Sequence, residues 1–117
     1  GLLFIVDRKK DMIISGGFNV YSAEVEQALM TLPGVREVAV FGVPSEKWGE
    51  EVKALVLPAL GFNLDAAALI ATCKLLLGSV KTPKSIDFVD AFPITANGKV
   101  DKKRLRSDYW REQVNQI

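Results

Sequence analysis

Apolar positions fall in short runs separated by charged or turn-forming residues. Residues 2–6 and 12–14 are two such runs around the charged link Asp7-Arg8-Lys9-Lys10-Asp11, which predicts a small hairpin of two short strands. Ser15-Gly16-Gly17 follows, a glycine pair that marks a turn into the next helix or a place where something approaches the backbone closely. From Ser22 to about residue 32 the spacing turns helical: Val25 and Leu29 share a face, and Glu24 and Glu26 sit in the first turn, where the helix dipole favours acids. Ser22 is the expected cap, and Pro33-Gly34 ends the helix.

Residues 37–43 alternate Val38 and Val40 against Ala39 and Phe41. Both faces are apolar, so the pattern predicts a central strand covered on both sides. A polar connection over 44–50 carries Trp48 and leads to a strand over 52–57 whose only charge is Lys53, an antiparallel partner across a long loop. Asn63 or Asp65 caps a second helix ending at Leu77, with Gly78 as its stop. Leu69, Ile70, Cys73 and Leu77 line its buried face, while Leu75 and Leu76 widen the stripe enough to suggest packing on a neighbouring surface.

After the basic link Val80-Lys81-Thr82-Pro83-Lys84 comes a third strand over 85–89, then the turn signal Asn97-Gly98. Asp101 caps a last helix in which Leu105, Tyr109 and Val114 recur at helical spacing. The predicted fold is α+β: a small, largely antiparallel three-stranded sheet with packed helices, preceded by a two-stranded hairpin.

Composition narrows the function classes. A chain of 117 residues supports one domain with one core, and 49% apolar with 25% charged residues describes a soluble globular unit. Net charge of +1 argues neither for a nucleic-acid partner nor for a membrane surface. The single Cys73 excludes an intramolecular disulfide, and the lack of histidine removes the commonest general base and every His-dependent triad. No apolar run reaches the length of a membrane span and no signal peptide is visible, so the expected location is cytoplasmic. Beginning without methionine inside an apolar run, the chain reads as a piece of a longer polypeptide.

The remaining chemistry is cationic. The acids Asp7, Asp11, Glu24, Glu26, Asp87 and Asp90 are scattered, and no metal-ligand cluster is expected. Arg8, Lys9 and Lys10, then Lys81 and Lys84, then the run from Lys99 to Arg106 are groups of the kind that bind phosphates and offset developing negative charge. Lys102, Lys103, Arg104 and Arg106 read better as the solvated face of the last helix than as a nucleic-acid site, given the balanced total charge. Lys99, set just past Asn97-Gly98, could reach a phosphate or carboxylate on a flexible stem, or be an ordinary surface lysine. Spacing does not choose between the two.

Three stretches resemble the C-terminal domain of the adenylate-forming enzymes: acyl-CoA synthetases, peptide-synthetase adenylation domains and luciferases. Asp7-Arg8-Lys9-Lys10-Asp11, Gly16-Gly17-Phe18-Asn19-Val20 and Ala23-Glu24-Val25-Glu26 resemble its hinge-and-helix motif. Gly42-Val43-Pro44 with Glu46-Lys47-Trp48-Gly49-Glu50 resembles the loop between its central strands, and Pro93-Ile94-Thr95-Ala96-Asn97-Gly98-Lys99 its catalytic-lysine loop. The resemblance implies a lid domain whose large N-terminal adenylation partner lies outside this chain. It implies ATP, CoA and a carboxylic acid as substrates, with Mg2+ held mainly by the partner domain and no tightly bound cofactor here.

Residue by residue, it implies that Lys99 bridges the acid and the α-phosphate, that Lys10 is the hinge, and that Arg8 contacts the nucleotide. Gly17 would face the pantetheine tunnel, and Trp48 and Lys84 would border the CoA nucleotide. Two departures stand out: Ser22 where the family usually has proline, and Val80 and Thr82 where CoA-forming relatives often offer an aromatic or an arginine. An acyl-CoA synthetase is the expected parent, with a carrier-protein-loading adenylation domain or a non-catalytic phosphate-binding module as alternatives.

Overall fold

Two strands fold back on each other across a glycine pair at the start of the computed structural model, which describes the backbone of residues 12–115 and the side chains of 12–111. Strand β1 (Met12–Ser15) and strand β2 (Phe18–Tyr21) pair antiparallel, from Met12↔Tyr21 to Ser15↔Phe18. Gly16 and Gly17 between them have φ of 59° and 83°. A two-residue loop with both residues left-handed matches the twist of the flanking strands, and glycine adopts it at little cost. The second of the two apolar runs thus pairs with residues 18–21 across the glycine pair. Residues 2–6, expected as its first strand, lie outside the described residues, as do Arg8 and Lys10.

Helix α1 (Ser22–Met30) follows without a break. Its cap is Tyr21, which makes no side-chain cap bond, and Ser22 is the first helical residue. Ser22 lies one position inside the cap, so it does not cap the helix; its Oγ instead accepts from Lys102 Nζ at 3.1 Å. Val25 and Leu29 are fully buried, as the spacing implied.

Strand β3 (Val35–Ser45) and strand β4 (Gly49–Pro58) run antiparallel from Ser45↔Gly49 to Val35↔Pro58, with one irregularity between Val35 and Glu37. Both strands are longer than the sequence suggested, so the expected seven-residue loop shrinks to residues 46–48. Strand β3 pairs only with β4 among the described residues, so it stands at the rim of the sheet and not in its middle. Its outward groups are covered by side chains: Glu26 Oε2 accepts from the Val40 N–H at 2.9 Å, and Trp110 Nε1 donates to the Gly42 carbonyl at 2.8 Å. Capping an edge in this way blocks pairing with another chain.

Strand β4 is the true centre. It pairs with β3, in parallel with β5 (Ser85–Phe88), and with β1 at Ser15↔Gly49, giving among the described residues a five-stranded, mostly antiparallel sheet. Helix α2 (Ala66–Leu77) is capped by Asp65, whose Oδ2 accepts from the Ala68 N–H at 3.3 Å, and stops at Gly78 with φ 87°. Helix α3 (Lys102–Asn115) is capped by Asp101 through Oδ1 and the Arg104 N–H at 3.1 Å.

The sheet is buried on both faces. Ile13, Val20, Val40, Val52, Ala54, Val56 and Ile86 pack with Val25 and Leu29 of α1 and Leu69 and Cys73 of α2. Ala39, Phe41, Val43 and Leu55 point the other way and pack with Phe92, Leu105 and Tyr109. Burying each of the larger aliphatic side chains contributes roughly 1.5–3 kcal/mol. Cys73 is part of this core, where burial pushes its thiol pKa up despite a hydrogen bond with Thr82. It is a packing residue and not a nucleophile.

Candidate functional site

Two places bring sequence-predicted residues to the surface. The first is the Lys99 turn. Ile94 and Val100 form an antiparallel bridge, the Thr95 N–H donates to the Lys99 carbonyl at 2.8 Å, and the Gly98 N–H donates to the Thr95 carbonyl at 2.9 Å. Gly98 has φ 82°, whereas no non-glycine residue among those described has positive φ, so Asn97 stays right-handed. Asn-Gly thus makes a longer hairpin loop closed by one left-handed glycine, not a two-residue primed turn. The Thr95 hydroxyl accepts from the Lys99 N–H at 3.3 Å, and the Asp101 N–H donates to the Pro93 carbonyl at 2.8 Å. The turn is joined rigidly to the start of α3. Lys99 is exposed, and its ammonium has no ion-pair partner among the described residues.

The second place is a corner where the β1–β2 turn meets the β3–β4 loop. The Gly16 N–H donates to the Trp48 carbonyl at 2.9 Å. A Cβ on Gly16 would stand 2.8 Å from Trp48 Cε3, so the indole packs directly against this glycine. Gly17 faces open space, with nothing within 4 Å of a Cβ built there. Lys84 Nζ lies 5.3 Å from the Trp48 ring centroid and Lys47 Nζ lies 5.0 Å from it. A half-exposed indole beside two ammonium groups can stack on a planar ring and pair with phosphates. Gly17, Trp48 and Lys84, chosen from three separate stretches, are therefore gathered in one corner. Lys47 joins them, and sequence spacing gave no signal for it beyond adjacency to Trp48.

The hydrogen bonds of the Lys99 turn stay within residues 93–101, and none reaches Gly17, Trp48 or Lys84. Of the two positions where relatives often carry an aromatic or an arginine, Val80 is exposed but Thr82 is buried, its hydroxyl donating to the Gly78 carbonyl at 2.7 Å. Thr82 belongs to the core, so it offers no surface contact.

Four polar arrangements among the described residues join the elements around these surfaces. Lys53, nearly buried, pairs with Asp87 Oδ2 at 2.8 Å, and the Tyr109 hydroxyl donates to the same oxygen at 3.0 Å. The hydrogen bond from Lys53, reinforced by that from Tyr109, holds the Asp87 carboxyl below the usual aspartate range against the opposing effect of burial. Glu50 accepts from the Ile14 N–H at 3.0 Å and from Arg106 Nη2 at 3.2 Å. Lys102 pairs with Glu26 at 2.8 Å and Lys81 with Glu24 at 2.8 Å, so much of the basic run is engaged in holding elements together. Among the described residues no group of three or more His, Cys, Asp or Glu could hold a metal ion. No described helix is long and apolar enough to cross a membrane.

Comparison with known proteins bears on what these surfaces serve. The family model described as the AMP-binding enzyme C-terminal domain matches residues 24–99. The chain belongs to that family. Its relatives are CoA ligases: a feruloyl-CoA synthase of Amycolatopsis sp. is 49% identical over 106 residues, covering 91% of this chain and 22% of the relative. The long-chain-fatty-acid–CoA ligase FadD13 of Mycobacterium tuberculosis is 45% identical over 109 residues, covering 93% and 22%.

Solved structures agree with the AMP-binding C-terminal fold. ATP-bound MatB from Rhodopseudomonas palustris superposes with a TM-score of 0.83 at 42% identity, over 86% of this chain and 20% of that one. The amide bond synthetase McbA from Marinactinospora thermotolerans gives 0.81 at 40%, over 85% and 20%. The chain thus spans about a fifth of the length of the proteins it matches. It carries the AMP-binding enzyme C-terminal domain that these relatives share.

Proposed function

We propose that this chain is the lid of an AMP-forming acyl-CoA synthetase, working with a large N-terminal adenylation domain of the same polypeptide. In the first half-reaction a carboxylate oxygen of the acid attacks the α-phosphorus of ATP, and the bond to the pyrophosphate oxygen breaks. Lys99 lies between the attacking carboxylate and the α-phosphate and offsets charge on the in-line transition state. In the second, the CoA thiolate attacks the acyl carbon, the bond to the AMP phosphate oxygen breaks, and the thioester forms. Between the two the lid turns about a hinge at Lys10, bringing Gly17 to the pantetheine and Trp48 and Lys84 to the CoA nucleotide. Arg8 contacts the adenine nucleotide. Any Mg2+ is held by the partner domain.

The observation that carries this reading is the exposed Lys99 ammonium, without an ion-pair partner among the described residues, on a turn tied to the start of α3. Separate lysine and Trp48 surfaces suit a domain that presents different faces in successive steps, and the CoA ligases among the relatives favour CoA as acceptor.

The test is acid-dependent ATP–pyrophosphate exchange by the full-length protein, with thioester formation assayed separately from supplied acyl-adenylate. Exchange in wild type and its loss in Lys99→Ala are expected, with the second step largely kept. If Lys99→Ala lowers both steps equally, the role given to Lys99 is wrong. If the supplied adenylate goes to a carrier protein or an amine in preference to CoA, the acceptor is wrong.

A further inference from the structure

The proposed cycle needs the turn about residue 10 to reach both working surfaces, yet these hang on different elements. Gly17 sits at the tip of the β1–β2 hairpin, while Lys99 leads directly into α3. A polar link from β1 to α3 among the described residues is the Glu50 carboxylate. One oxygen accepts from the Ile14 N–H of β1 at 3.0 Å, and the other from Arg106 Nη2 of α3 at 3.2 Å. Glu50 itself lies on β4, the strand to which β3, β5 and β1 are joined.

Several features converge on this carboxylate. Its side chain is only 20% exposed, while that of Arg106, its partner, is 51% exposed. Gly42 leaves it room: a Cβ there would stand 2.9 Å from Glu50 Oε2 and 3.0 Å from Ile13 Cγ2. Arg106 is held from its far side by Trp110, with the guanidinium carbon 4.5 Å from the ring centroid, and Trp110 is itself bonded to the Gly42 carbonyl. A guanidinium set over an indole face is attracted to it as well as to the carboxylate, so Arg106 has two partners that favour this position. Strands β1, β3 and β4 and helix α3 are thus locked together within a few side chains. In the sequence, Glu50 offers only its place in the Trp48-Gly49-Glu50 stretch, and Gly42 gives no sign of this use.

We infer that Glu50 is a positioning residue: through Ile14 and Arg106 it makes the hairpin and α3 turn as one body, so that one hinge movement sets both Gly17 and Lys99. The inference rests on the lid reading above. Neither Glu50 nor Arg106 is among the residues given a substrate contact in that reading. Their loss would leave substrate affinity in place and degrade the alignment of the reacting groups, and a misplacement of about 1 Å can cost on the order of 10²-fold in rate.

The experiment uses the full-length enzyme, with kcat and KM measured for both half-reactions in Glu50→Ala, Glu50→Gln, Arg106→Met and the Glu50→Ala/Arg106→Met double variant. Glu50→Ala should lower kcat in both steps by roughly tenfold to a hundredfold while KM for ATP, acid and CoA stays within about twofold. Glu50→Gln, which still accepts from Ile14, should recover most of that loss. The double variant should be no worse than Glu50→Ala, because the two residues act through one contact. Circular dichroism and thermal melting establish the folded fraction, to which rates are normalised. Unchanged kcat per folded enzyme in both Glu50→Ala and Arg106→Met overturns the inference, as does a defect confined to one half-reaction or additive losses in the double variant. Absence of acid-dependent exchange in the wild-type enzyme would instead refute the lid reading itself.

Discussion

The Lys99 turn and the Trp48 corner are built by opposite means. The turn is local: its bridge, its three backbone hydrogen bonds and its threonine contact all fall within residues 93–101. The corner draws on Gly16, Trp48 and Lys84, which come from three separate segments and meet only because β1 and β5 both adjoin β4. A local turn keeps its shape wherever the domain docks, which suits a residue that must present one charge at one point. A corner gathered from three segments depends on the whole sheet, which suits a surface that must match a larger ligand.

The sharpest way to separate the two is Lys99→Ala in the full-length protein. Removing one preorganised cation from the adenylation transition state should lower acid-dependent pyrophosphate exchange by roughly 10²–10³-fold while thioester formation from acyl-adenylate changes little. The mirror test is Gly17→Val. At φ 83° a β-branched side chain is strained, and the added bulk would project into the space that is now open. The strain, about 1–3 kcal/mol, should lower stability, while the bulk should cut thioester formation by about tenfold or more with exchange reduced far less. Gly16→Val makes the comparison stricter, because its Cβ would press on Trp48 at 2.8 Å and displace the corner itself. Equal loss of both half-reactions in Gly17→Val would show that the two surfaces do not work separately.

Trp48→Ala should act more gently. If the indole stacks on the nucleotide of CoA, the loss is about 1–3 kcal/mol, read as a rise of roughly fivefold or more in KM for CoA with KM for ATP unchanged. Lys84→Met should raise the same KM by a smaller factor, since exposed ammonium groups contribute about 1 kcal/mol or less. Steady-state kinetics with CoA varied against a fixed acyl-adenylate concentration measures both.

The local and the assembled regions also differ in how far the sequence displays them. Asp65, Gly78 and Asp101 announce helix ends that form where expected, because a cap is decided by atoms a few residues away. The Lys99 turn was visible for the same reason. Ser22 lies one position inside the cap, and the atom that uses its hydroxyl, Lys102 Nζ, is 80 positions distant. Apolar residues on both faces of residues 37–43 correctly implied cover on both sides. They did not reveal that the strand is at a rim, since edge pairing depends on backbone groups satisfied here by Glu26 and Trp110. The parallel pairing of β5 and the use of Glu50 were hidden likewise. Lys10 and Arg8 carry expectations that fall outside the described residues, and full-length kinetics of their alanine variants is the way to address them.

The smallest expected effect concerns the framework that both regions share. Asp87 lies on β5, three residues beyond Lys84, and is bonded to Lys53 of β4 and Tyr109 of α3. Its carboxyl is held below the ordinary value of 3.8, chiefly by the hydrogen bond from Lys53. For an acid whose folded pKa is depressed, the stabilising contribution is present above the unfolded value and is lost as pH falls through the folded one. Asp87 should therefore contribute fully at neutral pH and progressively less below about pH 4. Urea unfolding of wild type and Asp87→Asn at pH 7 and pH 3 measures this: the stability gap between them should be wider at pH 7 and narrow at pH 3. A gap that is constant with pH would mean that Asp87 serves the framework by its shape alone. A gap that narrows, with the Lys99→Ala and Trp48→Ala phenotypes preserved at neutral pH in the Asp87→Asn background, would place the two surfaces on a common support that neither of them controls.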